Sequence, residues 1–350
     1  MYLTVSREKL IKGIQVVETA VSSRATLPVL SNIIVEVEQV KSPQKMKLVS
    51  TDLEIAVKCY VECEVKEAGA ITVPAKKFSG IIKEITQDNV QLKTENETKM
   101  DIKAGKSHFI LAGTPKDDFP VLPDFVEEKS IKVDSTVFLE MIKKTLFAVS
   151  SDETRYALTG IYSLLESNQV KLVATDGRRL AYVYREVPTG KTDAKAIIPG
   201  KTMNELLRIL SMEEKSEVEI SLTENQASFR INGITLISRL IDSKFANYEQ
   251  IIPKKSTYSI KVNNKNLTSA MRQISFVTME KGGTVKYSFN KDVLRISAQS
   301  KDIASGEVDL DLDYKGPSVE VAFNPVYILD FLKSISEEEV MFEINTPIDA

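Results

Sequence analysis

Two periodicities alternate along the chain. Segments 6–21, 135–149 and 264–277 carry apolar residues at i, i+3, i+4 spacing, as in Leu10, Ile14 and Val17, and predict amphipathic helices. Each follows a Ser, Asp or Asn able to cap it. Segments 74–85, 199–210 and 325–335 have the same helical spacing and follow an apolar strand, with Pro74, Pro199 and Pro325 as start signals. Between and after the helices the pattern changes to period two. VQLKTENETKMDIKAGKSHFILAG and VEISLTENQASFRINGITLISRL predict hairpins, with turns at Glu95-Asn96 and Asn232-Gly233.

These elements recur. KLVSTDLEIAVKCY at 47–60 returns as KLVATDGRRLAYVY at 171–184, which places Asp52 and Asp176 124 residues apart. Pro74 and Pro199 are 125 apart, and Asn324 stands at the same interval again, with Pro325 free to serve as the first helical residue. Each unit therefore runs helix, strands, helix, strands over about 125 residues, too long for a solenoid repeat and long enough for a domain. The boundaries predicted are 1–127, 128–253 and 254–350, near the proline- and charge-bearing stretches FPVLPDFVEEKS and IIPKKSTYS. The third unit is short: VMFEINTPIDA supplies one strand and part of a turn where the other two continue. The linkers lack Gly/Ser tracts, so a rigid row of three α+β domains is expected rather than beads on a string.

Charge is divided by element type. The formal net charge is −3, which alone argues weakly against a nucleic-acid partner. The six helix segments, however, hold 13 basic and 6 acidic residues, a surplus of seven that leaves −10 for the rest of the chain. Helical Lys and Arg without base-reading motifs suit sequence-blind contact with a phosphate backbone. No apolar run reaches the ~20 residues of a membrane span, and Met1 leads straight into a strand-like segment, so a cytoplasmic protein without a membrane partner is expected.

Catalysis is disfavoured. The Thr-Asp phrases have no second carboxylate cluster, catalytic histidine or phosphate loop beside them. His108, the single histidine, sits in an alternating strand and reads as a surface or interface residue. Cys59 and Cys63 lie about 13 Å apart on an extended chain, beyond disulfide reach, and are expected as reduced thiols. No metal or cofactor is expected.

TLPVLSNIIVEV, STD, TVPAKKF, FPVLP, TRYALTG, ATDGRRLA, SRLIDSKFANYEQIIP and FNPVYILDFL together resemble the bacterial sliding clamp family, the β subunit of DNA polymerase III, from Met1 to about Ala350. The resemblance implies three repeats of the DNA-clamp fold, two helices on antiparallel sheets in each. It implies a head-to-tail homodimer, a six-domain ring around double-stranded DNA held without sequence preference. Twelve helices of ~10 Å diameter give a ring of axes about 38 Å across and a bore of roughly 28 Å. Its partners are a replicative polymerase α subunit, a clamp loader and other clamp-binding proteins. The protein is then a non-catalytic processivity factor in DNA replication.

By position, Arg24, Lys76 and Tyr156 match DNA-touching residues, with Lys143, Lys144, Lys201, Arg208, Lys265 and Arg272 as cations of the helix lining. Ala157 and Asp152 depart from the family pattern beside Tyr156 and imply weaker loop contacts. Leu158, Thr175, Gly177, Arg178, Arg179, Leu180, Ala246, Gln250, Ile251, Asn324 and Tyr327 match a cleft that binds client peptides. Ala246 replaces a family proline there, Gln250 a residue basic in some members, and the family's C-terminal strand and tail are missing. A shortened chain or a divergent clamp-like copy with an impaired pocket is the alternative reading. Phe109, Ile110 and Leu111 match one side of the subunit joint, and Phe276 and Val277 the other.

Overall fold

The computed structural model describes residues 1–22, 27–38, 43–127, 130–190, 192–278, 283–300 and 304–345. The first repeat runs β1 (Tyr2–Ser6), α1 (Arg7–Val17), β2 (Asn32–Val37), β3 (Lys45–Thr51), β4 (Ile55–Glu62), β5 (Glu64–Glu67), β6 (Gly69–Pro74), α2 (Ala75–Glu84), β7 (Asn89–Asn96), β8 (Lys99–Ala104), β9 (Ser107–Ala112). The second runs β10 (Ser130–Asp134), α3 (Ser135–Leu146), β11 (Gly160–Glu166), β12 (Gln169–Thr175), β13 (Leu180–Glu186), β14 (Ala194–Pro199), α4 (Gly200–Met212), β15 (Glu217–Leu222), β16 (Gln226–Ile231), β17 (Ile234–Arg239). The third runs β18 (Tyr258–Asn263), α5 (Asn264–Ser275), β19 (Val285–Asn290), β20 (Val293–Ser300), β21 (Ala304–Asp311), β22 (Val319–Phe323), α6 (Pro325–Ser334), β23 (Glu339–Ile344).

Packing groups the chain into two compact units, one formed by 1–142, 152–173 and 183–243, the other by 143–151, 174–182 and 244–350. Backbone hydrogen bonding explains why the first two repeats merge. β17 of the second pairs antiparallel with β4 of the first, Ile234 opposite Cys59 and Ser238 opposite Ile55. The joint makes one eight-stranded sheet in the order β10-β15-β16-β17-β4-β3-β2-β6. A five-stranded sheet, β5-β1-β7-β8-β9, ends at β9. A four-stranded sheet, β13-β12-β11-β14, has a hairpin tip at 174–182 that belongs to the second unit. The second unit adds β21-β20-β19-β22 and the pair β18-β23.

The helices form where the apolar stripe has a sheet to cover. α1 buries Leu10, Ile14 and Val17, and Gly13 lets it sit down on β4: a Cβ there would fall 2.5 Å from Val61 Cγ2. In the second unit α5 buries Leu267, Met271 and Ile274 over Tyr287, Ile296 and Leu294. Burying each such side chain contributes about 1.5–3 kcal/mol before entropy is counted.

Three details depart from the sequence expectation. Ser6 makes no side-chain cap bond, whereas Asp134 accepts from Thr136 N at 2.8 Å and Asn263 from Asn266 N at 3.0 Å. Pro74 and Pro199 stand one residue before the first helical residue, each still in its strand opposite Asn32 and Gly160; only Pro325 is the first helical residue. The first hairpin turns at 97–98 rather than at Glu95-Asn96, since a register shift between Thr94 and Asn96 lengthens β7. Asn232-Gly233 turns as expected, with φ of 46° and 78°. Cys59 and Cys63 are free thiols, pushed up by burial to about 12 and about 11.

Candidate functional site

The Thr-Asp phrase folds into the same turn twice. After β3, Thr51 Oγ1 accepts from Leu53 N at 2.9 Å and donates to Ile55 O, while Asp52 Oδ1 accepts from Glu54 N and Ile55 N. After β12, Thr175 Oγ1 accepts from Gly177 N at 3.0 Å and donates to Arg179 O, while Asp176 Oδ1 accepts from Arg178 N and Arg179 N. The side-chain oxygens replace the backbone partners that a tight turn cannot supply.

What the turns hold differs. Asp52 receives Lys201, the second residue of α4, whose ammonium also lies 3.9 Å from Glu54. Asp176 Oδ2 instead accepts from Arg179 Nε at 3.1 Å, and the guanidinium continues to Asp330 Oδ2 of α6 at 2.9 Å and to Phe147 O at 2.7 Å. Its plane lies 4.5 Å from the Tyr327 ring and 5.3 Å from that of Phe147. One arginine thus ties a turn, a helix and the end of α3 within the second unit. Asp330 and Phe147 are absent from the sequence-predicted set. Nothing in the sequence singles Asp330 out from other helical acids, although it lies one turn after Tyr327 on α6.

Around this arginine the second unit gathers Thr175, Gly177, Arg178, Leu180, Asn324 and Tyr327. Arg178 is exposed, with no ion pair among the described residues, and Asn324 caps α6 through Val326 N at 2.9 Å. Ala246, Gln250 and Ile251 follow in the 244–252 segment, Gln250 at the end of a 3-10 turn and Ile251 51% exposed. That segment is fixed by Tyr248, stacked on Tyr182 at 5.8 Å. Leu158 ends a 3-10 turn in the first unit and is half-buried.

The candidate nucleic-acid contacts fall into two classes. Lys76, Lys143, Lys265, Arg272 and Tyr156 are exposed. Lys144, Lys201 and Arg208 are engaged: Lys144 with Glu337 at 2.5 Å, Lys201 with Asp52, Arg208 with Glu205 at 3.9 Å. Lys144 pulls the Glu337 carboxyl below its ordinary value. Arg24 lies outside the described residues. Asp152 accepts from Thr154 N and Oγ1, which lowers its carboxyl and holds the turn that carries Tyr156. The outward face of α4 presents Lys201, Asn204, Arg208 and Ser211, and that of α5 Lys265, Ser269, Arg272 and Gln273. Neither face carries an exposed acid. In the second unit the α5 face opens on a groove of about 1150 Å³.

β9 and β21 are sheet edges. Phe109, still 39% exposed, and the buried Leu111 share one face of β9, opposite Ile102 and Met100, while Ile110 lies on the other face at 63% exposure. Phe276, 68% exposed, and Val277, packed on the core, follow the last turn of α5.

Three family models match consecutively: the N-terminal domain of the DNA polymerase III beta subunit at 1–123, the central domain at 132–247 and the C-terminal domain at 249–350. The chain belongs to the DNA polymerase III beta subunit family. It is 32% identical over 348 residues to the beta sliding clamp of Pseudomonas aeruginosa, covering 99% of this chain and 93% of that one. It is 29% identical over 346 residues to the beta sliding clamp of Chlamydia muridarum. Among solved structures, the DnaN sliding clamp of P. aeruginosa bound to griselimycin superposes with a TM-score of 0.93 at 30% identity, covering 100% of this chain and 94% of that one. The sliding clamp of Bacillus subtilis gives 0.93 at 28%. The fold is that of three α+β clamp domains.

Proposed function

We propose that the protein is a replicative sliding clamp whose domains, 1–127, 128–253 and 254–350, form half of a six-domain ring closed head to tail with a second copy around duplex DNA. The observation that carries this reading is the β17–β4 joint, by which one repeat hands its edge strand to the next. β9 and β21, like β13, are sheet edges among the described strands; β9 holds in the first repeat the place of β17 and β21 in the third the place of β4, and an uncovered edge strand is an aggregation hazard that pairing removes. Phe109, Ile110 and Leu111 would meet Phe276 and Val277 at the joint between copies.

The polar faces of α4 and α5 support a loose, sequence-blind hold on phosphates through Lys201, Arg208, Lys265 and Arg272, with Lys76, Lys143, Lys144, Arg24 and Tyr156. Engaged lysines such as Lys201 can contribute only by leaving their carboxylates. The chemistry required is retention without grip, so no catalytic group is needed. The cradle around Arg179 supports docking of peptide segments from a polymerase, a loader or other clients at Thr175, Gly177, Leu180, Ile251, Asn324 and Tyr327, with an apolar anchor against polar ends. Cytoplasmic action follows from work on replicating DNA.

Retention on circular and linear duplex tests this. A loaded protein should stay on closed circles and leave linear DNA by its ends at the same salt. Equal retention on both would overturn encirclement.

A further inference from the structure

Three helix lysines take their carboxylate from another repeat. Lys201 of α4, in the second repeat, reaches Asp52 in the first. Lys144 of α3, also in the second, reaches Glu337 in the third at 2.5 Å. Lys12 of α1, in the first, reaches Glu213 just past α4 of the second at 2.9 Å. Lys201 and Lys144 belong to the candidate phosphate contacts, and the acids that hold them are fixed by their own backbone. Asp52 Oδ1 accepts from Glu54 N and Ile55 N, so Oδ2 alone serves Lys201. Glu337 Oε2 accepts from Ser336 N at 3.0 Å, so Oε1 alone serves Lys144. The lysine is the partner that can swing: Lys201 keeps 53% of its side chain exposed and Asp52 10%.

We propose that Asp52 and Glu337 limit the grip on DNA: each keeps a lysine of the helix lining from the phosphates, so that contact with duplex must first break a clasp between repeats. The inference rests on the sliding-clamp reading above. A phosphate and a carboxylate compete for one ammonium, and the carboxylate is already in place. The hold is thereby weakened without removing the positive charge that attracts the duplex, which is what sliding requires. The two clasps differ in their surroundings. Near Lys201, Glu54 at 3.9 Å, Glu205 one turn along α4, and Glu153 and Asp242 in a shared cleft of about 750 Å³ add acid, against Arg239. Glu337 instead shares the α5 groove with Lys265, Arg272 and Glu338, and Lys143 stands beside Lys144 in the chain. Losing Glu337 therefore exposes a more basic surface than losing Asp52.

Fluorescence anisotropy of a short labelled duplex, titrated with the full chain over a salt series, reads this. Asp52→Asn keeps Oδ1 for its turn and Glu337→Gln keeps an oxygen for Ser336 N, so both variants retain the local fold. Each should bind about threefold more tightly at low salt, Glu337→Gln the more so, and steepen the slope of log affinity against log salt by up to about 0.9, one phosphate contact. Glu153→Gln and Glu338→Gln remove an acid from the same two clefts that has no ion pair among the described residues. They should gain less and leave the slope unchanged. In a Lys201→Gln chain Asp52→Asn should have no such effect, and in a Lys144→Gln chain neither should Glu337→Gln. A gain that the two control variants share, or that survives loss of the lysine, reduces the effect to bulk charge and overturns the proposal. Unchanged or weaker binding in Asp52→Asn and Glu337→Gln overturns it as well. A wild-type chain that binds no duplex even at low salt overturns the clamp reading with it.

Discussion

The turns at 51–55 and 175–179 have one backbone and two uses. Gly177 stands at φ 83° and Leu53 at φ 76°, so the left-handed residue is part of the turn's geometry rather than of its function. A leucine there costs about 1 kcal/mol that glycine does not. In the first turn the carboxylate of Asp52 is met by a cation from the next repeat's helix, Lys201. In the second the cation has moved onto the turn itself as Arg179, and the helix of the next repeat supplies a carboxylate, Asp330. The helix cation has no counterpart in α6, where Val326 stands in the place of Lys201; the arginine on the turn itself instead reaches the acid one turn further along that helix, and that is what makes a cradle out of a scaffold. Duplication conserves the hydrogen bonds of the turn; specialisation acts on what they hold.

The heaviest blow to this comparison is Arg179→Ala. Arg179 is largely buried, with 18% of its side chain exposed, and its loss leaves Asp176 Oδ2, Asp330 and the Phe147 carbonyl without their shared donor. A cost of about 3 kcal/mol in urea unfolding is expected, with at least about a tenfold loss of client-peptide affinity. Arg179→Lys should recover little of either, since one ammonium cannot serve three acceptors in that fork. If Arg179→Ala unfolds at the wild-type midpoint, the second turn is no more than a loop.

Next come the paired substitutions at the left-handed position. Gly177→Leu should destabilise by about 1–2 kcal/mol, and Leu53→Gly should change stability by less than about 1 kcal/mol, the relief of strain opposing the freer unfolded chain. Thermal melts of the two single variants and the double one read the contrast. Equal and opposite shifts would show that backbone strain alone separates the turns. Peptide affinity that falls in Gly177→Leu by more than its stability loss explains would show that the glycine also admits a ligand.

Much of this was legible beforehand. The repeats, their alternation of helix and sheet and the capping by Asp134 and Asn263 follow from spacing and side-chain chemistry that act within a few residues. Gly177 and Arg179 were legible as departures of one phrase from its twin. Asp330 was not, because a lone acid on an amphipathic helix has many possible partners and only the fold selects one. The capture of Lys144 by Glu337 and of Lys201 by Asp52 was equally invisible: sequence counts a lysine as free charge, whereas the structure has already spent it on a neighbour. The β17–β4 joint escaped for the same reason, since an edge strand looks like any other until its partner is in place.

The smallest effect sharpens the comparison furthest. Glu205 of α4 holds the place in the second repeat that Asp330 of α6 holds in the third, counted from Pro199 and Asn324. No arginine comes up from the first turn to meet it, because Ile55, 1% exposed and in the core, occupies the position of Arg179. Burial raises the Glu205 carboxyl above its ordinary value, Arg208 at 3.9 Å only partly opposing the shift, and among the described residues Oε2 has no hydrogen-bond partner. A carboxyl whose folded value is raised opposes folding once it ionises, so its penalty is present at neutral pH and disappears as pH falls below its unfolded value. Glu205→Gln should therefore stabilise the protein at neutral pH by about 0.5 kcal/mol or less, and not at all near pH 4. Asp330→Asn should do the opposite at neutral pH, since it removes a charge that Arg179 needs. Urea titrations at the two pH values compare them. Stabilisation in both variants would mean that neither carboxylate is wanted where it stands, and that the arginine of the second turn adds no energy to its acid.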